Sequence, residues 1–559
     1  MPSSLDRASV PASLPIAHVA ERLGVHEDDV VLFGRDVAKL SLDALSRSSP
    51  LGSTRRKLVL VSAITPTPAG EGKTTTSIGL GQAFSALGES VCLALREPSM
   101  GPCLGLKGGA TGGGQSRLTP ADRINLHFTG DFHAITSAHN LLASLVDNHL
   151  HFGNALDIDP RRVVWPRVLD LNERALRDVV IGLGGVGQGV PREASFDITA
   201  ASEVMAMLCL AEGLDDLRAR LERVVVAYTR GGQPVTARDV GATGAMLALL
   251  RDALAPNLVQ TLGGTPAIVH GGPFANIAHG CSSVLATRMA MHHAEWTFTE
   301  AGFGFDLGAE KFFDIKCRAA GLVPDGVVIV ATVRALKMHG GQALERAAEV
   351  SAEAVREGLP NLVAHVESAR LFGRPVVVAL NRFDSDDPRE VSEVARCCEA
   401  LGVPFEVSDH FARGGEGAVA LARTVMATCR EASASPTPPV LYPLEASIPE
   451  KIERVARSMY GASGVTFTKA AERELRDIER LGHGALPVCI AKTQSSLSDD
   501  PTRRGRPRDF TLTVRGLRVN AGAGFVVVLT GDVVRMPGLP RRPLAERIDV
   551  RDGVIVGLR

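Results

Sequence analysis

The 559-residue chain has few aromatic residues and almost no net charge. It contains two Trp and three Tyr, and its 61 basic residues nearly balance 62 acidic ones, leaving a formal charge of -1. This balance gives no electrostatic reason to expect DNA, RNA or an anionic membrane as a partner. The basic cluster TRRGRPR around Arg504 is interpreted as a solvated loop. Because rings are scarce, an aromatic residue beside a ligand-binding loop is especially informative.

Cysteine pairs and long apolar runs are also missing from the sequence. The nine Cys include no C-x-x-C pair, and the adjacent Cys397 and Cys398 are interpreted as reduced core thiols. The N-terminus lacks the basic start and apolar stretch of a signal peptide. No uninterrupted apolar run approaches the roughly 20 residues needed to span a membrane. These features predict a soluble, cytoplasmic protein without a nucleic-acid or membrane partner.

The strongest local motif is a strand that leads through a glycine-bearing loop into a helix. The apolar run KLVLVSAI, from Lys57, predicts the strand, and Leu80, Phe84 and Leu87 recur at helical spacing before Gly88. Between them lies TPAGEGKT, which we name the 67–74 loop. It fits the Walker A phosphate-binding pattern except that Thr67 replaces the first glycine. An ordinary turn is the less favoured interpretation.

Each part of this loop has a predicted role in nucleotide binding. Its glycines let successive backbone N-H groups point inward, and the N-terminus of the following helix adds positive potential for a phosphate. Lys73 is expected to reach the β- and γ-phosphates, and Thr74 to offer its hydroxyl to Mg2+. The predicted nucleotide-binding residues are Thr67, Pro68, Ala69, Gly70, Glu71, Gly72, Lys73 and Thr74.

Two segments behind the loop are candidate parts of the same site. The predicted strand VCLAL ends at Leu95, which places Arg96 at the carboxyl edge of a strand expected to neighbour the loop. Ligands of open α/β sheets bind at that edge. The glycine-rich segment 105–117, GLKGGATGGGQSR, predicts a loop that becomes ordered over a ligand.

Two further segments each allow two interpretations. Segment 127–151 has five histidines, which could bind a metal, but no pair has the i, i+4 spacing of a helical zinc site and no Cys accompanies them. We therefore favour hydrogen-bonding histidines near the active site. VVIGLGGVGQG satisfies the dinucleotide fingerprint, but Pro191 follows where that fingerprint requires a helix. A plain glycine turn is favoured.

The order of apolar runs predicts an α/β fold. Runs such as DGVVIVATV and RPVVVALN alternate with helical segments, as a parallel sheet covered by helices requires. We predict a large P-loop nucleotide-binding domain (1–360) with a parallel sheet flanked by helices, and a second α/β domain (361–430) that contributes further site loops. The Pro- and Ser-rich segment 431–440 is expected to be a linker. A smaller α+β domain (441–559) follows, packed on the first and without a role in the chemistry.

Several blocks resemble one enzyme family, formate tetrahydrofolate ligase, also called formyltetrahydrofolate synthetase. They occur in the family's order and spacing from about residue 55 to the C-terminus: TPTPAGEGKTT, REPSMGP, DRINLHFTGDFHAIT, FDITAASEVMA, GGPFANIAHGC, EKFFDIKCR, ATVRALKMHGG, NRFDSD and GDVVRMPGLP. The resemblance implies that ATP, as its Mg2+ complex, phosphorylates formate to formyl phosphate. The formyl group would then pass to tetrahydrofolate, yielding 10-formyltetrahydrofolate, ADP and phosphate. It also implies a homotetramer and stimulation by a monovalent cation such as K+.

The resemblance further implies roles for individual residues. Lys73 and Arg96 would be catalytic, with the planar guanidinium of Arg96 holding formate or formyl phosphate through two parallel hydrogen bonds. A structural salt bridge is the competing interpretation of Arg96. The residues implied for folate binding are Glu97, Phe303, Phe383 and Phe411, the rings offering flat apolar faces to the folate.

The sequence also departs from the family and leaves two alternatives open. Phe411 replaces a usual Trp, Phe305 a usual small residue and Ser495 a usual aromatic. These changes could weaken folate affinity, so a catalytically weakened relative that binds folate or nucleotide is one alternative. The other is a GTPase-type switch, because NRFD (from Asn381) is close to the guanine-binding motif Asn-Lys-x-Asp. No Asp-x-x-Gly, the usual γ-phosphate sensor, occurs in the chain.

Overall fold

The computed structural model describes residues 13–68, 70–105, 109–431, 437–531 and 533–558. A twelve-stranded, mainly parallel sheet forms the centre of the fold, which confirms the predicted α/β class. In chain order the strands are β1 (Val30–Leu32), β2 (Ala38–Leu40), β3 (Lys57–Ala63), β4 (Val91–Leu95), β5 (Gly112–Gly113), β6 (Ser116–Thr119), β7 (Ile158–Val163), β8 (Arg167–Leu169), β9 (Val179–Ile181), β10 (Arg192–Ala194), β11 (Phe196–Ile198), β12 (Val225–Thr229), β13 (Pro234–Thr236), β14 (Asn257–Thr261), β15 (Pro266–Val269), β16 (Trp296–Glu300), β17 (Gly326–Ala331), β18 (Val376–Asn381), β19 (Phe405–Ser408), β20 (Gly464–Phe467), β21 (Val488–Ala491), β22 (Thr511–Val514), β23 (Gly516–Asn520), β24 (Phe525–Leu529), β25 (Asp549–Arg551) and β26 (Val554–Val556).

The strand order of the large sheet is β1-β2-β14-β15-β4-β16-β3-β17-β18-β19, with β6 paired to β14 and β5 to β6. The seven strands from β15 to β19 in this order pair in parallel, so their carboxyl ends lie along one edge. All residues of β3, β4, β16, β17 and β18 are buried, as expected for strands covered on both faces. Continuous Val, Leu and Ile runs made β3, β17 and β18 predictable, whereas β16, with the sequence WTFTE, was not predicted as a strand.

The α-helices cover both faces of the sheet and build the surrounding layers. They are α1 (Ile16–Arg22), α2 (Lys73–Ala86), α3 (Met100–Leu104), α4 (Ala121–Asn125), α5 (Asp131–His151), α6 (Glu203–Leu210), α7 (Leu214–Glu222), α8 (Thr243–Leu250), α9 (Val284–His293), α10 (Arg318–Ala320), α11 (Val333–His339), α12 (Ala352–Leu371), α13 (Pro388–Ala400), α14 (His410–Arg413), α15 (Val419–Glu431), α16 (Ile448–Val455) and α17 (Lys469–Arg480). Within the described ranges, no helix combines the length and apolarity needed to cross a lipid bilayer.

The C-terminal region has the predicted helices and strands. Helix α16 precedes β20 and α17 follows it, and the strands form two small sheets, β20-β22 and β21-β24-β23. This region is joined to the large sheet's layers by a buried ion pair, in which Lys492 Nζ lies 2.7 Å from Asp306 Oδ2. The backbone N-H of Gly522 also donates to Glu203 Oε1 at 2.7 Å. Asp306 follows β16, so the C-terminal region supports the chain just beyond a strand of the central sheet.

The division into three domains stays a prediction, although two features cross its first boundary. Position 360 lies inside α12, and strands on both sides of it belong to the same sheet. The glycine segment 182–189 joins the antiparallel strands β9 and β10, as a glycine turn would. The predicted loop 105–117 contains strand β5 and the start of β6, while residues 106–108 lie outside the described residues.

Candidate active site

The loop between β3 and α2 lies at the carboxyl edge of the sheet. Gly70 and Gly72 have positive φ angles of 77° and 78°, which residues with a Cβ rarely adopt, and Gly72 is the N-cap of α2. Lys73 and Thr74 form the first turn of α2 and are half-buried. The strand, loop and helix therefore have the order that a phosphate-binding loop requires. Ala69 lies outside the described residues.

The side chain of Glu71 points into the protein and holds the loop closed. It is 1% exposed, and its Oε1 accepts a hydrogen bond from the backbone N-H of Thr67 at 2.8 Å. Its Oε2 accepts another from the hydroxyl of Thr332, which follows β17. The Glu71 side chain therefore shapes the loop. Only the backbone of residue 71 is available for the predicted phosphate binding.

Two further side chains pack on the loop from neighbouring strand ends. Asn381, the last residue of β18, donates from Nδ2 to the carbonyl oxygen of Glu71 at 3.1 Å. The same nitrogen lies against Gly72, where an added Cβ would approach it to 2.4 Å. Arg334 donates to the carbonyl oxygen of Gly70 at 2.9 Å, and its guanidinium carbon lies 5.0 Å from the centre of the Phe383 ring. The loop conformation is thus fixed by groups distant in sequence.

Arg96 and the 67–74 loop both contact the carboxylate of Glu300, which no sequence motif identified. Glu300, the last residue of β16, accepts a hydrogen bond at Oε2 from the Thr74 hydroxyl at 2.7 Å. Its Oε1 lies 3.5 Å from the Arg96 guanidinium. The prediction that the strand of Arg96 neighbours the loop strand was wrong, because β16 lies between β4 and β3. Glu300 at the end of β16 bridges this extra strand.

The three phenylalanines predicted to bind folate follow three strands that end at this edge. Phe303 is half-buried, has a φ of 60° and follows Gly302, where an added Cβ would lie 2.9 Å from Arg96 Nη1. Phe383 is half-buried beside Arg334. Phe411 is 49% exposed and lies against Gly113, where an added Cβ would approach its ring to 2.9 Å. Flat apolar faces are therefore available beside the loop and beside Arg96.

Comparison with protein-family models gives a match over nearly the whole chain. A family model described as formate–tetrahydrofolate ligase matches residues 3–559. The chain belongs to this family. Members are ATP-dependent carbon–nitrogen ligases that act on formate and tetrahydrofolate, so ATP and tetrahydrofolate are the substrates that the site must receive. The match begins before residue 55, where the predicted resemblance starts.

Glu97 lies in a buried acidic cluster and directly follows Arg96 in the chain. Its side chain is 4% exposed, and Oε2 has no hydrogen-bond partner within the described part of the chain. Burial raises the pKa of Glu97 well above its usual range, and the negative charge of Asp131 raises it further. Asp131 is itself held by Lys39 Nζ at 2.8 Å. A carboxyl group of this kind can donate as well as accept a hydrogen bond.

The departures from the ligase family lie in different environments. Phe305 is 0% exposed and packs 6.2 Å and 6.0 Å from the ring centres of Phe313 and Phe372, so its bulk fills the protein core. Ser495 is half-buried, and its backbone N-H donates to Thr493 Oγ1 at 3.3 Å. Phe411 is the departure whose ring reaches the surface beside the site.

The histidines of segment 127–151 do not gather around one point. His139 stacks on Trp165 at 4.1 Å between ring centres and bonds the carbonyl oxygen of Pro166, and His149 accepts a hydrogen bond from the backbone N-H of Leu156. In the residues that the structure describes, no three His, Cys, Asp or Glu side chains are arranged to hold a metal ion. Hydrogen bonding explains His139 and His149.

Four residues around the loop were missed by the sequence motifs or given another role: Glu300, Thr332, Arg334 and Asn381. Asn381 was noted as part of the GTPase-like NRFD sequence, but the structure places its amide on the 67–74 loop. The family match does not support a GTPase-type switch. All four residues lie at or just after the end of a parallel strand, and this position is the signal that could have found them.

Proposed function

We propose that this chain makes 10-formyltetrahydrofolate from formate, ATP and tetrahydrofolate through a formyl phosphate intermediate. The observation that supports this reaction is the shared contact of Thr74 and Arg96 with Glu300, which brings a loop suited to a triphosphate within one side chain of a guanidinium suited to a one-carbon acid. Formate and the γ-phosphate are both anionic, so their approach requires cations on both sides.

The first step forms a mixed anhydride. One oxygen of formate attacks the γ-phosphorus of ATP, the bond from that phosphorus to the β,γ-bridging oxygen breaks, and ADP leaves. We assign Lys73 to the β- and γ-phosphates and Arg96 to formate, where its fork can bind both oxygens. The contacts of Arg96 Nε and Nη2 with Glu300 Oε1 are both long, at 3.5 Å, so they compete only weakly with the acid for the guanidinium. The backbone of residues 67–72 would hold the other phosphate oxygens.

Mg2+ is expected to enter with ATP. Thr74 Oγ1 and Glu300 Oε2, 2.7 Å apart, are oxygen donors at the loop, and Mg2+ prefers such ligands together with substrate phosphates. The residues present therefore fit the ion. Mg2+ would neutralise charge on the phosphates during transfer.

In the second step the amine at position ten of tetrahydrofolate attacks the carbonyl carbon of formyl phosphate. The bond from carbon to the bridging oxygen breaks, phosphate leaves and the amine loses a proton. We assign Phe303, Phe383 and Phe411 to the folate rings. We assign Glu97 to a polar edge of the folate, because its buried Oε2 has no hydrogen-bond partner in the described ranges. Offset stacking would contribute about 1 kcal/mol per ring pair beyond burial.

The proposal is tested by following the oxygen atoms of formate. Formate labelled with 18O should transfer one labelled oxygen to inorganic phosphate for each 10-formyltetrahydrofolate formed, because the bridging oxygen stays with phosphorus. Product should appear when ATP, formate and tetrahydrofolate are all present. Unlabelled phosphate would contradict the intermediate, and absence of product with all three substrates would instead favour a catalytically weakened relative. A homotetramer, stimulation by K+ and a cytoplasmic location remain predictions from the family resemblance and composition.

A further inference from the structure

Glu300 occupies a position that joins the two halves of the proposed site. It ends β16, which pairs with β3 on one side and β4 on the other. Its side chain is 3% exposed, and its two oxygens face different partners, Thr74 at 2.7 Å and Arg96 at 3.5 Å. The loop and Arg96 therefore contact opposite oxygens of one carboxylate.

A negative group at this place needs a reason, because the site must receive two anionic substrates. A buried carboxylate is unfavourable unless nearby cations and donors offset it. Arg96 supplies one cation in the structure, and the Thr74 hydroxyl supplies a donor. In nucleotide-binding loops of this type, the loop Ser or Thr shares Mg2+ with a carboxylate placed elsewhere in the fold. Glu300 has this relation to Thr74.

We propose that Glu300 is a positioning residue for both substrates, fixing Arg96 for formate and, with Thr74, completing the oxygen surface that faces Mg2+ in the ATP complex. This inference rests on the proposed roles of Thr74 and Arg96. It follows that loss of the Glu300 charge weakens Mg2+-dependent nucleotide binding and formate use together. We expect a smaller effect on tetrahydrofolate binding, because Phe383 and Phe411 follow strands β18 and β19, and only Phe303 is close to Glu300 along the chain.

A merely structural carboxylate would behave differently from a positioning residue. Glu203 provides the matched control, because it is 5% exposed and its Oε1 accepts from the backbone N-H groups of Gly522 and Ala523 at 2.7 Å and 3.1 Å. Glu203→Gln makes the same substitution at a comparably buried position in contact with the C-terminal region. Because burial raises the pKa of Glu203 to about 7, the comparison is made at about pH 8, where the carboxyl group is mostly ionised. Glu203→Gln should change thermal stability and leave unchanged both the gain in ADP affinity due to Mg2+ and the KM for formate.

The experiment compares Glu300→Gln with Glu203→Gln in the full-length protein. Calorimetry measures ADP binding in Mg2+ and in chelator, and steady-state kinetics give KM for formate and for tetrahydrofolate. For Glu300→Gln we expect about tenfold loss of the gain in ADP affinity due to Mg2+ and about tenfold higher KM for formate, matching one lost charge-assisted interaction at each partner. ADP affinity in chelator and KM for tetrahydrofolate should stay within about twofold.

Glu300→Asp provides a second test if Glu300→Gln folds poorly. The shorter side chain keeps the charge but cannot reach Thr74 and Arg96 together, so it should restore one of the two parameters and leave the other impaired. If a folded Glu300 variant keeps both the gain in ADP affinity due to Mg2+ and the KM for formate unchanged, the inference is overturned.

Thr74→Val and Arg96→Lys separate this failure from failure of the proposed function. If Thr74→Val leaves the gain in ADP affinity due to Mg2+ unchanged and Arg96→Lys leaves KM for formate unchanged, the proposed function is wrong. If both variants impair their parameters while Glu300 variants do not, the role of Glu300 alone is wrong.

Discussion

Replacing Arg96 with lysine separates the shape of the guanidinium from its charge. The proposed function requires two parallel hydrogen bonds to formate, of which an ammonium group can reproduce only one in the same geometry. The geometry is compatible with this requirement, because the contacts from Arg96 Nε and Nη2 to Glu300 Oε1 are both long, at 3.5 Å. Contacts of this length are weaker than ordinary hydrogen bonds, so they compete only weakly with a bound carboxylate.

The expected loss can be worked from these contacts. A hydrogen bond to a charged group contributes about 1.5–3 kcal/mol, so losing one of two should cost about 1.5–3 kcal/mol. That corresponds to roughly a 13- to 160-fold fall in kcat/KM for formate. Complete removal of the side chain should cost about 3 kcal/mol or more, by analogy with lost oxyanion donors.

The assay varies formate at saturating ATP and tetrahydrofolate and records ADP formation. Arg334→Lys is the matched control, because Arg334 donates to the carbonyl of Gly70 and lies beside Phe383. It should affect KM for ATP and leave KM for formate unchanged. A fall of less than about threefold in kcat/KM for formate in Arg96→Lys would refute the two-bond geometry.

Three further predictions concern other parts of the molecule. Lys73→Ala should abolish formyl phosphate formation while leaving tetrahydrofolate binding largely intact, and unchanged turnover would show that Lys73 is wrongly assigned. Phe411→Trp should tighten tetrahydrofolate binding by about 0.5–1.5 kcal/mol, because a larger ring adds stacking area on a side chain that is 49% exposed; a raised dissociation constant in calorimetry would contradict this arrangement. Burial lowers the pKa of His139 from 6.5 to about 3, so the unfolded chain binds more protons than the native state between these values and stability falls as pH drops below about 6.5. In urea titrations at pH 5–6.5, His139→Gln should lower the dependence of unfolding free energy on pH by up to about 1.4 kcal/mol per pH unit, and an unchanged slope would refute burial of the neutral ring.

The sequence predicted the elements of the fold better than their arrangement. Apolar runs such as those of β3 and β17 are buried on both faces, so their composition reports their environment directly. Gly70 and Gly72 were identifiable because their positive φ angles need glycine. The order of strands depends on long-range packing, and no local pattern revealed that β16 enters between β3 and β4.

The direction of individual side chains was also hidden from the sequence. Glu71 belongs to the loop motif, yet its carboxylate turns inward to Thr67 and Thr332. Phe303 and Phe305 are two residues apart, but the first is half-buried at the edge and the second is fully buried against Phe313. Phe303 has a positive φ of 60° and a π-helical turn begins at Phe305, and neither feature can be recognised from composition.

The place of Glu300 in the sheet explains why it contacts both halves of the site, although no sequence motif contains it. In WTFTEAGFG it is the final residue of a strand with five buried residues, and a charged residue in such a strand is uncommon because its desolvation is costly. A polar residue retained at the carboxyl end of a parallel strand therefore has either a partner or a ligand. Glu300 has two partners in this structure, and both belong to the residues assigned to the reaction. The position of the strand in the sheet determined which of its residues could join the two halves of the site.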